Sequence, residues 1–200
     1  VSLRDGVYVA YGRQCLRLDP ATGRQVAVFK LPRTRGQTKA PQWGFLTIYR
    51  DFLIAGAEPL ILSPFFREQS IGRSPLGMNL DGTSSERIVM MNRHSGKVLW
   101  QVRARHGFVH NSIIGGAGKV FCIDRPRVPR GILEENERGE ARPVRGSRLL
   151  VFDAATGKKA WSTDKDVFGT WLAYSKKHNL LLEAHLVLLS VAVGRETARL

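Results

Sequence analysis

One short unit occurs three times along the 200 residues, at 15–24, 88–100 and 150–161, and it constrains the fold more than any bulk property. Each copy reads as a strand, a tight turn and a second strand. The turns carry Asp19, Thr22 and Gly23; Asn92, Ser95 and Gly96; and Asp153, Thr156 and Gly157. The residue types match the mechanics of the turn. Asp or Asn accepts backbone N–H bonds through its side chain, Thr or Ser assists, and Gly takes the positive φ that a Cβ penalises. A cation follows each glycine: Arg24, Lys97 and Lys158. In two copies a Trp stands four residues after the Gly, Trp100 and Trp161, whereas the first copy has Ala27 there. Such an indole suits a wedge between sheets, because it buries a large apolar area and still needs one hydrogen-bond acceptor.

A second unit alternates with the first. Residues 43–56, 106–122 and 168–182 each read as two strands about a polar hairpin, so one repeat holds four strands, the content of one propeller blade. Gly115-Gly116-Ala117-Gly118 lies between two such strands and reads as a hairpin turn, not as a dinucleotide-binding loop. The turn glycines are 73 and 61 positions apart. Removing the Ser/Pro/Gly-rich stretch 60–84 and the aperiodic stretch 126–147 leaves periods of 48 and 39, near the usual blade length of about 40–50.

The expected fold is therefore all-β: a β-propeller of four-stranded antiparallel blades, with about three and a half blades present as a partial ring. The expected organisation is a partial blade at 1–31, a blade at 43–102 with the insertion 60–84, a blade at 106–163 with the insertion 126–147, and a partial blade at 168–185. Residues 186–200 form a tail of uncertain structure. Both insertions fall between the second and third strands of a blade, so they project from one face, the natural place for binding.

Charge adds a question. Lys and Arg number 31 against 17 Asp and Glu, a net +14 with a pI near 10.6. By fifties the net charge is +7, 0, +5 and +2, with no run of four bases. Charge this diffuse fits exposed turns better than a nucleic-acid groove, so a nucleic-acid partner is not expected. The cysteines, Cys15 and Cys122, are far apart and in no C-x-x-C pair, which excludes a disulfide scaffold and reads as core. No apolar stretch approaches the roughly 20 residues of a transmembrane helix. The chain starts at Val1 without a signal peptide and reads as a piece of something longer.

The pattern Asp-x-x-Thr-Gly-Lys-x-x-Trp, complete in Asp153, Thr156, Gly157, Lys158 and Trp161 and nearly so in Asn92, Ser95, Gly96, Lys97 and Trp100, resembles a known repeat. It is the tryptophan-docking repeat of the pyrroloquinoline quinone (PQQ)-like, quinoprotein alcohol dehydrogenase-like β-propellers. Phe108-Val109-His110-Asn111 with residues 118–124 is similar to large uncharacterised members of planctomycete type. The resemblance implies a ring of seven or eight blades, the missing ones supplied by the rest of the chain or by self-association, and an extracytoplasmic, periplasmic location. It also implies two functional branches. True dehydrogenases bind PQQ and calcium, with carboxylate and amide ligands, an Asp base, a Trp on the quinone and usually an adjacent-cysteine disulfide. Scaffold proteins keep the blades alone. The adjacent-cysteine pair is absent here.

Candidate binding residues on the axial face are Trp43, His106, His110, Asn111 and Trp171. Trp43 and Trp171 could stack on a planar ligand, although each opens a strand and reads as core. His106 and His110 stand four apart, a metal-binding spacing on a helix but not on a strand, so no metal site is expected; His110-Asn111 reads as a polar pair at the axial channel. Residues 79–86 carry oxygen ligands without the spacing of a helix–loop–helix calcium site. No catalytic residue is assigned. The expected function is a non-catalytic binding or scaffolding module for a protein or small-molecule ligand. The alternatives are part of a PQQ- and calcium-dependent dehydrogenase and, third, a polyanion-binding propeller.

Overall fold

A computed structural model describes residues 1–61, 83–126, 143–187 and 190–192. Most of both insertions, the loop residues 79–82 and the end of the tail lie outside the described residues. The first sheet holds β1 (Ser2–Leu3), β2 (Gly6–Tyr11), β3 (Gln14–Leu18) and β4 (Gln25–Phe29), in that spatial order. The second comprises β5 (Trp43–Tyr49), β6 (Phe52–Ile61), β7 (Thr83–Asn92) and the start of β8 (Val98–Val109). The third is β9 (Ile114–Gly116), β10 (Lys119–Asp124), β11 (Arg148–Asp153) and β12 (Lys159–Thr163). The fourth is β13 (Trp171–Ser175), β14 (Leu180–Val187) and β15 (Ser190–Ala192). All pairings are antiparallel.

Strand β8 links the second and third sheets. Its first half pairs with β7, and its far end, at Phe108, meets Asp124 of β10. The fourth sheet runs past the boundary expected at 185, through Val187 and into β15. No Gly, Pro, Asn or Asp separates those two strands, so the sequence carries no turn signal there.

The sheets stand face to face, and strict alternation along each strand feeds two layers at once. Leu53, Ala55, Val89 and Met91 pack toward the first sheet, against Tyr8, Cys15 and Phe29. Their neighbours Ile54, Ile88 and Met90 pack the other way, against Val120, Cys122, Leu150 and Phe152 of the third sheet. The third sheet repeats the device: Phe121, Ile123, Leu149 and Val151 pack against Leu172 and Leu181 of the fourth. Both cysteines are free and buried, and burial pushes the Cys15 thiol up to about 11. The opposite face of the first sheet is open, with Val9, Tyr11, Val26 and Val28 exposed.

The three repeat turns share one hydrogen-bond pattern. Asp19 Oδ1 accepts from the N–H groups of Ala21 and Thr22 and from the Thr22 hydroxyl at 3.0, 2.8 and 2.9 Å. Asn92 Oδ1 does the same with His94 and Ser95, and Asp153 Oδ1 with Ala155 and Thr156. Gly23, Gly96 and Gly157 close the turns at φ 69°, 73° and 72°.

The turns also join the sheets. Trp100 of β8 lies on the next turn, its indole N–H donating to the Ala154 carbonyl at 2.9 Å. A Cβ on Gly157 would fall 2.6 Å from that ring, so the glycine serves both backbone and neighbour. At the preceding junction, where the sequence offers Ala27 in place of Trp, two residues divide the task. Phe29 covers Gly96, where a Cβ would meet it at 2.6 Å, and the Tyr8 hydroxyl lies 3.4 Å from the carbonyl of Arg93, the counterpart of Ala154. The two rings stack at 6.5 Å with an interplanar angle of 13°.

Trp100→Phe removes the indole donor and trims the ring that covers Gly157, and is expected to cost about 1 kcal/mol. Gly157→Ala adds a Cβ at positive φ against a packed ring and should cost more, at least about 2 kcal/mol. Urea unfolding of both variants checks this order; a Gly157→Ala protein as stable as wild type would contradict the docking geometry.

Candidate functional site

The chain reverses at opposite ends of these sheets. The repeat turns occupy one end. At the other, β6 stops and β7 starts, β10 stops and β11 starts, and the links 30–42 and 164–170, with the bulged end of β8 running into the turn His110–Ser112, carry the chain from sheet to sheet. That second, insertion-bearing end is where polar side chains gather.

Between the second and third sheets, the Ser85 hydroxyl and His110 Nε2 are 2.8 Å apart. Ser85 is fully buried and His110 is 8% exposed. The pair fits because Gly44 and Gly56 leave room: a Cβ on either would come within 2.7 or 2.5 Å of Ser85 Oγ. Phe45 lies against the imidazole, with ring centroids 5.5 Å apart. Burial pushes His110 down to about 4, so the ring is neutral at ordinary pH. Next to it, Asn111 is half-buried with Nδ2 enclosed and without a hydrogen-bond partner among the described residues.

A buried carboxylate holds the adjoining link. Asp124 accepts the backbone N–H groups of Arg105, His106 and Gly107 at 2.9, 2.8 and 3.0 Å, and Arg148 Nη2 at 2.5 Å. Burial alone would raise its pKa, but Arg148 and the three N–H groups outweigh burial and hold it below the usual carboxylate range. The fourth sheet uses the same device: Glu183 Oε1 accepts the N–H groups of Phe168 and Gly169 at 3.0 and 2.5 Å. Between the first and second sheets, Glu58 Oε1 accepts from Gln37 Nε2, and Glu58 Oε2 from Arg87 Nε at 3.3 Å.

The five axial-face candidates lie on adjoining elements at this end: a Cβ on Gly44, next to Trp43, would come 3.2 Å from His110 Nε2, and the turn that holds His110 and Asn111 packs against β13, which Trp171 opens. Trp43 opens β5 and is 8% exposed in the layer between the first and second sheets. His106 contributes its backbone N–H to Asp124, while His110, four residues on, turns to Ser85 in a short 3-10 turn, His110–Ser112. Trp171 opens β13, paired with Ala184 two sheets away from Trp43. Ser85, Glu58, Arg87, Asp124 and Glu183 were not singled out by sequence. Each acts on a partner at least 14 residues away, and no local pattern marks such a contact.

The donor set bears on the calcium and quinone that the family resemblance implies. Asp124, Glu58 and Glu183 each already accept two or more hydrogen bonds, and among the described residues no three His, Cys, Asp or Glu side chains converge. Trp43 is packed among core side chains. Calcium needs oxygen ligands, so these described residues do not fit a calcium-bound quinone.

No family model matches the sequence, and no curated relative does either. Solved structures do match. The quinohemoprotein alcohol dehydrogenase ADHIIG of Pseudomonas putida HK5 is similar over 92% of this chain and 27% of its own, at 14% identity and a TM-score of 0.52. The Pan2 WD40 domain of Neurospora crassa is similar over 90% and 43%, at 12% identity and a TM-score of 0.54. The chain is an arc of a β-propeller. A europium-containing methanol dehydrogenase is similar over 92% of this chain and 34% of that one, at 11% identity and a TM-score of 0.52. The chain thus spans less than half the length of each of these proteins, and at such identity the likeness concerns the fold. Among the described residues no helix is long and apolar enough to cross a membrane.

His110 makes stability depend on pH. Its folded-state pKa, about 4, lies below the ordinary value of 6.5. The unfolded chain therefore takes up a proton below about pH 6.5 while the native one does not. The contribution is complete above that pH and is lost as pH falls toward 4, by about 3 kcal/mol in all. In urea titrations across this window, His110→Gln should flatten the acid side of the stability profile; an unchanged slope would show that His110 is not the group responsible.

Proposed function

We propose that this chain is a non-catalytic, PQQ-like repeat segment of a propeller, a binding and scaffolding module whose ligand face is the insertion-bearing end. One observation carries this reading: several buried polar side-chain atoms at that end are unpaired, while the carboxylates there are already occupied. Trp43 Nε1, Arg87 Nη2, Asn111 Nδ2, Ser147 Oγ, Arg148 Nε and Thr170 Oγ1 are buried there without hydrogen-bond partners among the described residues. Leaving a buried polar group unpaired costs about 1–3 kcal/mol, so a cluster of them marks a surface built to meet polar atoms of something else. The carboxylates at the same end are occupied by N–H donors from the chain itself. Their work is holding the links in place, the work of a scaffold.

The protein incubated with PQQ and calcium, then desalted, is expected to carry no quinone absorbance and to reduce no dye when given a primary alcohol. Retained quinone together with alcohol-dependent dye reduction would overturn this reading in favour of a dehydrogenase.

A further inference from the structure

A cavity of about 370 Å³ opens at the insertion-bearing end, lined by Arg13, Gln37, Pro41, Gln42, Glu58 and Pro59. It caps the layer between the first and second sheets. Its volume lies in the range of small-molecule sites, and the lining mixes a guanidinium, two amides and a carboxylate with two proline walls. Two features there are costly for the fold. Glu58 sits at φ 60°, a left-handed conformation that strains a non-glycine residue. Behind it, Arg87 is 4% exposed and uses Nε on Glu58 at 3.3 Å and Nη1 on Gln101 at 2.8 Å. Its Nη2 has no hydrogen-bond partner among the described residues. In the planar guanidinium, Nη2 shares an edge with Nε, the edge facing Glu58. Glu58 would satisfy both nitrogens as a fork, but Gln37 holds its other oxygen.

Apart from Glu58, which is paired with Arg87, the charges the link brings to the opening are positive. No Asp or Glu occurs between Asp19 and Asp51, while Lys30, Arg33, Arg35 and Lys39 lie in the link that supplies Gln37, Pro41 and Gln42. Arg13 joins them from the Gly12–Arg13 hairpin, spending one N–H group on the Ala40 carbonyl and keeping the rest of its fork. Gln37 already accepts the Thr34 N–H at 2.9 Å and donates to Glu58, so a ligand that suits this site brings a carboxylate for Arg13 and vicinal hydroxyls that can donate to Glu58 and donate or accept at Gln42.

We infer that this cavity binds a hexuronate, an acidic sugar presented free or as a unit of a polyuronate. The inference rests on the binding-module reading above and names its ligand class. Arg13 takes the carboxylate as a bidentate pair, and Gln42 with Glu58 reads the hydroxyls.

The test is calorimetric titration with D-galacturonate, a galacturonate trimer and D-galactose at about 0.15 M salt, where diffuse surface attraction is screened. The acidic sugars are expected to bind at least about tenfold more tightly than galactose, and Arg13→Gln should weaken them about tenfold with an unchanged urea midpoint. Equal affinity for monomer and trimer points to a free sugar, and a preference for the trimer to a polymer; both support the site. Absence of acidic-sugar binding, equal binding of galactose, or an unaffected Arg13→Gln variant overturns it. Failure here without retained quinone leaves the scaffold reading standing, whereas retained quinone removes that reading by a separate assay.

Discussion

An aromatic ring laid on the turn glycine of the next sheet, with a donor reaching the carbonyl beside it, is the contact on which the rest of this arc depends. Flat antiparallel sheets have no intrinsic reason to stand side by side at a fixed spacing. Trp100 supplies one, by covering Gly157 and bonding Ala154 O at 2.9 Å. The spacing so set lets Ile54 and Leu53 on one strand feed separate layers, and it keeps both faces of the middle sheets dry. At the first junction Phe29 covers the glycine and Tyr8 approaches the carbonyl. The constraint is thus a geometry of covering and capping, which more than one residue set can satisfy.

Fixing the turn end leaves the opposite end free to vary. There the chain must travel from one sheet to the next over links with little regular pairing, and carboxylates take over. Asp124 gathers three consecutive N–H groups and Glu183 gathers two. Each replaces the strand partner those groups lack. Ser85 and His110 tie the link to β7 through a neutral side-chain pair. With the links held this way, donors such as Arg87 Nη2 and Asn111 Nδ2 have no hydrogen-bond partner among the described residues.

The turns and the strands were legible in the sequence because their causes are local. Asp153, Thr156 and Gly157 bond one another within five residues, and alternation places Val120 and Phe121 on opposite faces without reference to anything distant. The first docking junction was not legible, since its two rings come from strands 21 positions apart and Ala27 stands where the motif has Trp. The same holds for the candidate site. Trp43, His106, His110, Asn111 and Trp171 share an end of the sheets, but the partners that decide what each one does, Ser85 and Asp124 among them, lie elsewhere in the chain. The charge of +14 was visible at once, yet its meaning near Arg13 depends on a link that folds over Glu58.

Hydrogen exchange of the Trp100 indole N–H, followed by NMR in deuterated buffer, addresses the docking contact most directly. If the contact holds the second and third sheets together, that proton exchanges as slowly as the buried backbone amides of β10 and β11, released only when the arc unfolds. Exchange at the rate of an exposed indole would contradict the contact and the blade spacing derived from it.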